Sequence, residues 1–363
     1  MRKIIYLFII WRVVLFLVAA VSPQIIPQFG ARFPYYQEGL IATGLPHFLW
    51  SFGNFDGVHY LRIAQDGYAY QFTQVFFPLY PLLIRLFSYL TFSNLLIAAL
   101  LISNLAFLGS LALFYKLVAK IFSEKTAFWS CLFLLAFPTS FYFGAVYTEG
   151  IFFLMIIASF YLASQKKIIA ASIIGSFASA TRLVGLFLAI ALSDGKKRKS
   201  LIPLTIVPIG FLAYVLYLAI EFGKPLYFLS AQTIFGQERT TSQIILIPQV
   251  IWRYLKILAT TDGQAFANAV FELASTILAF VLLFIAFKKK FNPKWLLFSF
   301  LAVFTPTLTG TLASMPRYIL VAFPIYIVLA QIENDRLKLI ILAAFSVMLI
   351  ITTILFTQGY WIA

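Results

Sequence analysis

The chain is short of nearly everything a water-soluble enzyme uses. Only 11% of its 363 residues are charged, where a soluble domain carries about 25%. It has one cysteine, Cys131, which excludes an intramolecular disulfide and a cysteine-based zinc site. Two histidines, His47 and His59, are too few for a histidine-rich metal centre. There is no Walker loop, no glycine-rich dinucleotide turn after a strand and no G-x-S-x-G elbow, so a nucleotide-sugar site of the soluble α/β kind is unsupported. What the chain does have is oil: 62% of its residues are hydrophobic. That composition leaves almost no aqueous surface and predicts an all-α polytopic membrane protein.

Acids are scarce as well, 12 against 27 Lys and Arg, for a net charge of +15. A nucleic acid could attract such a charge. The basic residues, however, fall in short clusters between apolar runs, at 116–125, 166–167, 196–199, 288–290 and 336–338. Positive-inside loops have this pattern. Membrane lipids and a phosphorylated lipid are therefore the expected partners, and no nucleic acid is expected.

A span needs about 20 apolar residues. The first is expected at 3–21, read as an uncleaved span with Arg12 inside it. Others fall near 94–117, 126–143, 149–164, 200–221, 264–287, 294–312, 317–332 and 337–357, about nine full spans in all. Between the first two lies a large outer loop, about 22–93, rich in Pro, Gly and aromatics. Within it the stretch 76–85, apolar and broken by Pro78 and Pro81, reads as interfacial. Segment 168–193 is long enough to cross once, but crossing would scatter the basic clusters over both sides. A re-entrant pair of half-helices turning near Thr181-Arg182 keeps them on one side, and is preferred. A single domain over 1–363 is expected, with a cytoplasmic N-terminus.

The densest polar stretch runs from Phe55 through Asp56, His59, Tyr60, Arg62 and Asp66 to Tyr68. Asp56 reads as a carboxylate that accepts a proton from a hydroxyl nucleophile. It also reads as the N-cap of a short helix ending at Gly67. His59, one turn on, would orient that carboxylate or donate to a phosphate; a plain surface histidine is the competing reading. Arg182 sits deep inside 168–193, where a charge costs about 2.5–3.5 kcal/mol and calls for an anion or a carboxylate such as Glu149. Glu149 opens a span, where the helix dipole alone would favour it. Arg317, in Met315-Pro316-Arg317-Tyr318, suits neither an apolar flank nor a positive helix end, which points to recruitment by an anion. The stretch from Gly223 to Gln232 mixes turn formers with aromatics, as a lid, a sugar platform or an ordinary loop would. No metal site is expected. A divalent ion shared by Asp56 and Asp66 stays open as an option without being required.

Several of these stretches, in this order, carry a resemblance. They are Phe55 to Tyr68, Phe76 to Leu82, Pro138 to Glu149, Ala180 to Gly185, Gly223 to Gln232, and Met315 to Tyr318. The chain resembles the phosphatidylinositol-glycan class V (PIG-V) mannosyltransferases and their prokaryotic relatives, which share the GT-C membrane fold. The resemblance implies a polyprenyl-phosphate mannose donor and a glycolipid or cell-surface acceptor. It also implies an inverting transfer on the non-cytoplasmic face, with an acid of the first outer loop, here Asp56, as the base. Two positions depart from the family pattern. Phe55 stands where a tryptophan is usual, and Gln237 where an arginine is expected after Gly236, with Arg239 close by. The chain is also short beside eukaryotic members.

On this reading Arg182 and Arg317, with His59, meet the charge of the leaving phosphate. Glu149, Asp66, Tyr60 and Gln232 hold acceptor or sugar. The expected location is the plasma membrane, multi-pass, with the site facing outward, or the endoplasmic reticulum in a eukaryotic host. The competing class is a secondary transporter or flippase for a lipid-linked sugar, which broken helices and intramembrane charges would serve equally.

Overall fold

The computed structural model describes residues 1–30, 33–193, 201–235, 239–240 and 243–362. The basic cluster 196–199 and the pair Gly236 and Gln237 lie outside the described residues. Among those described the chain is all helix and turn, with no strand.

Five helices are long and apolar enough to cross a membrane: Arg2–Ile25, Leu95–Ile121, Ile202–Phe222, Gly263–Lys288 and Asp335–Thr357. The sequence leads one to expect nine. The shortfall has a local cause, because proline cannot donate to the helix ladder and clashes with the preceding turn. Glu124–Ala136 stops two residues before Pro138, and Pro306 lies in the last turn of Pro293–Thr307. Pro316 and Pro324 each start a new short helix, Met315–Tyr318 and Pro324–Ala330. Glu149–Ser164 is a continuous helix of 16 residues.

The core is built on Leu95–Ile121, which packs against Glu124–Ala136 and Glu149–Ser164; the latter packs in turn on Ile168–Ser179. The first and last helices also pack on each other. Arg12, inside the first helix, is buried with its guanidinium over the rings of Phe16 and Phe52, 4.0 and 4.4 Å from their centroids.

Segment 168–193 is broken in the middle. Ile168–Ser179 ends, Thr181 and Arg182 turn, and the chain continues through Leu183–Leu186 into Phe187–Leu192. The second arm folds back on the first so tightly that a Cβ on Gly185 would stand 2.5 Å from the carbonyl of Ala178. Both ends of the segment reach one region. Lys120 Nζ approaches Ser164 O at 3.5 Å, the Phe122 ring packs tilted on Phe291, and Lys294 Nζ donates to Leu192 O at 3.0 Å.

The stretch between the first two long helices holds short helices, among them Asp56–Asp66 and Leu79–Ser88. Leu79–Ser88 packs on Leu95–Ile121 through Tyr80 and Ile84, while Leu82, Leu86 and Phe87 face outward. This two-faced pattern suits a helix lying in a membrane interface.

Candidate active site

Asp56 is the first residue of its helix, not its cap. The N-cap is Phe55, whose backbone takes φ 59° and ψ −116° and makes no side-chain cap bond. A positive φ is strained for a bulky residue. Here it is held from several sides. Tyr147 Oη donates to Asn54 O at 2.9 Å, Asn54 Nδ2 donates to Phe356 O at 2.8 Å, and Val146 N donates to Phe52 O at 2.9 Å. The helix ends at Gly67, with φ 68° as a C-terminal glycine should have.

Freed from capping, the Asp56 carboxylate is met by Arg317, whose guanidinium lies 2.6 Å from Oδ2. Arg317 Nε lies 3.4 Å from Glu149 Oε1, within ion-pair range but not aligned as a hydrogen bond. Arg182 donates to the same Glu149 oxygen at 2.6 Å. The four charges thus run in a line, Asp56, Arg317, Glu149, Arg182, contributed by four separate segments. Glu149 is 1% exposed, and its other oxygen, Oε2, finds no partner among the described residues. A buried carboxylate is retained only when charges or hydrogen bonds face it. The two guanidiniums are therefore what keep Glu149 in place, and Glu149 what keeps Arg182 there. The dipole at the start of Glu149–Ser164 adds to this but does not account for it.

All four groups line one cavity of about 520 Å³, joined by Tyr60, Thr181, Gln232, Arg239, Tyr318 and Trp361. The size falls within the range for small-ligand sites, about 300–1,000 Å³. Its apolar wall comes from the turn after Arg182 (Leu183, Val184), from Phe228 and Leu229, and from Leu308 and Val321. Arg239 donates to Tyr318 Oη at 2.7 Å and to Ala313 O at 2.6 Å. Its hydrogen-bond partners are neutral; of the three guanidiniums lining the cavity it alone makes no ion pair among the described residues, whose lining carries one positive charge in excess. The Tyr318 ring lies under all three guanidiniums, 5.1–5.4 Å away. Burial foremost, and then the Asp56 and Glu149 carboxylates, push the Tyr60 phenol well above its ordinary value, so it stays protonated and able to donate.

Two expected site residues do not line the cavity. His59 is half-buried and stacks on Phe76, with ring centroids 5.2 Å apart, so it backs a wall residue. Burial pulls its imidazole below 6.5; nearby Asp56 opposes that shift and Arg62 adds to it. Asp66 is engaged elsewhere, by Arg62 at 3.8 Å and by the Tyr70 hydroxyl at 3.3 Å. It closes the helix that Asp56 opens, roughly 15 Å away by helical rise. The two carboxylates therefore stand at opposite ends of one helix, each with its own partners. Among the described residues no group of three or more His, Cys, Asp or Glu side chains is placed to hold a metal.

Arg239, Tyr318 and Trp361 come to the site from the second half of the chain. Arg239 had a faint sequence signal, its closeness to the unusual Gln237. Tyr318 sat inside a stretch already singled out. Trp361 had none, because aromatics make up 18% of the chain.

Known proteins bear on this geometry. A family model for mannosyltransferases (PIG-V) matches residues 1–193, just over half of the chain. The chain is 29% identical over 138 residues to a GPI mannosyltransferase 2 from Drosophila pseudoobscura pseudoobscura, covering 35% of this chain and 29% of that protein. It is 28% identical over 148 residues to one from Cryptococcus neoformans, covering 38% and 35%. With one from Drosophila melanogaster it shares 29% over 109 residues, covering 27% and 24%. The matched stretch thus spans about a third or less of each of these relatives. On the extent of the family match, the chain belongs to the mannosyltransferase (PIG-V) family.

Proposed function

We propose that the chain transfers mannose from a polyprenyl-phosphate carrier to a hydroxyl of a glycolipid or cell-surface acceptor, with inversion at the anomeric carbon. Asp56 is the general base: its carboxylate takes the proton of the incoming hydroxyl as oxygen attacks the anomeric carbon. The bond to the carrier phosphate breaks on the opposite face. The departing phosphate carries the charge, which the guanidinium groups receive. Arg239, whose hydrogen bonds among the described residues go to neutral acceptors, is the readiest of the three to take it, with Arg317 and Arg182 alongside. Glu149 Oε2, Tyr60 and Gln232 supply the polar contacts that hold sugar hydroxyls. The apolar wall at Leu183, Val184, Leu308 and Val321 takes the first isoprenoid units.

The observation that carries this reading is the convergence of Asp56, Glu149, Arg182 and Arg317 on one cavity in a chain of this family. The fold-back of segment 168–193 supports a topology with the basic clusters on the cytoplasmic side and the cavity on the outer side. Family membership also favours a transferase over a carrier of lipid-linked sugar.

The test is to incubate purified chain with radiolabelled polyprenyl-phosphate mannose and a lipid extract of the host, then identify the labelled product. Asp56→Asn should keep its fold and lose transfer by about 10²–10⁴-fold, the usual worth of a general base. Wild-type turnover in that variant would reject the assignment.

A further inference from the structure

Beside Asp56 the cavity has an aromatic corner that the scheme above does not use. Trp361 lines the cavity. Its ring meets Phe55, the residue just before Asp56, edge to face at 5.1 Å and 85°. Phe55 in turn packs on Phe33 at 4.8 Å and on Phe356 at 5.8 Å. The Trp361 backbone is pinned as well: its carbonyl accepts from Gln264 Nε2 at 3.3 Å and Asn268 Nδ2 at 3.2 Å, both in Gly263–Lys288. Its neighbour Ile362 is buried. The ring is thus held by Phe55, and its main chain by two carboxamides.

The indole N–H is the exception. Nε1 is buried and donates to nothing among the described residues. A buried donor left unpaired costs free energy, and buried indoles ordinarily find a partner. A rigid aromatic corner with one spare donor, placed next to a base, has the features a pyranose would meet. The ring faces take the apolar C–H face of a sugar, and the N–H donates to one of its hydroxyls. In an inverting displacement the incoming hydroxyl arrives opposite the leaving phosphate, so a ring on the base's side of the cavity is placed to meet the acceptor.

We infer that Trp361, braced by Phe55, is the platform that binds the sugar ring of a pyranoside acceptor beside Asp56. This rests on the transferase reading given above. Trp361 is a binding residue here and touches no breaking bond.

The test is calorimetric titration of the purified full chain with hexyl α-D-mannoside, kept below its micelle concentration. Wild type should bind saturably. Trp361→Ala, which removes ring and donor, should weaken binding about tenfold. Trp361→Phe, which keeps a ring and loses the donor, should fall between the two and controls for folding, together with the melting temperature. In the transfer assay the same variants should raise the acceptor KM and leave the donor KM within about twofold. Equal mannoside binding by wild type and Trp361→Ala would overturn the inference, as would no saturable binding to wild type, or a rise confined to the donor KM. Asp56→Asn separates this inference from the reading beneath it. Tight mannoside binding with no transfer supports both, whereas wild-type turnover rejects the base and leaves the binding result to judge the platform.

Discussion

The two halves of the chain bring different chemistry to the same cavity. Residues 1–193, the part the family model matches, supply both carboxylates and one guanidinium: Asp56, Glu149 and Arg182. Among the described residues the second half supplies no acid to the lining. It brings two guanidiniums, Arg239 and Arg317, and the rings of Tyr318 and Trp361. Among the described lining residues, both carboxylates thus sit in one half and two of the three guanidiniums in the other. Arg317 is the joint, because its guanidinium reaches both Asp56 and Glu149 across the divide. Neither half builds the site alone.

Removing that joint should have the largest effect on both halves. Arg317→Gln leaves Asp56 without its ion pair and Glu149 with only Arg182. Stability should drop by about 3–5 kcal/mol, as when one partner of a buried pair is deleted, and transfer should fall at least about hundredfold. Thermal melting in detergent and the labelled-donor assay read these separately, and Arg317→Lys should recover more of the stability than of the rate. Unchanged melting would mean that the two halves are joined by packing alone.

Arg239→Gln touches only the second half. Its hydrogen-bond partners are neutral and it makes no ion pair among the described residues, so melting should move far less than in Arg317→Gln. The donor KM should rise about tenfold through loss of a charge-assisted contact to phosphate. A fall in melting temperature with no change in donor KM would assign Arg239 to holding the Ala313 loop.

The smallest effect belongs to the first half. Burial keeps the His59 imidazole below 6.5, so the unfolded chain takes up this proton at higher pH than the folded one. Stability from this group is therefore lost as pH falls below 6.5. His59→Gln should flatten the acid side of the melting-temperature profile slightly and leave the neutral side alone. An unchanged slope would mean that other groups set it.

Much of the acid half was legible in the sequence. A carboxylate, histidine and arginine packed into Phe55 to Tyr68 stand out in a chain with so few charges, and a lone arginine deep in an apolar run announces its need for an anion. The same logic could have singled out Glu272, inside the expected span 264–287. It is buried and accepts a hydrogen bond from Tyr254 Oη, which also accepts from Leu312 N at 3.0 Å. Asp66 misled because nearness in sequence put it with Asp56, when a helix separates their side chains. The expected spans 126–143, 294–312 and 317–332 were too long, since their apolar runs continue past Pro138, Pro306 and Pro324, where helices end or restart. Trp361 was out of reach, because its contact with Phe55 joins the two ends of the chain and nothing local marks it.

The strained backbone at Phe55 has one more consequence. A positive φ in a residue of this bulk costs about 1–3 kcal/mol, and the neighbours that keep it so include Tyr147 and the carbonyl of Phe356 in the final helix. During synthesis the last of these emerges some three hundred residues after Phe55 itself. Until then the final helix cannot brace the loop, and the nascent chain carries Asp56 without the Asn54–Phe356 bond beside it. The bend before Asp56 is therefore set only after the residues around Phe356 have been made.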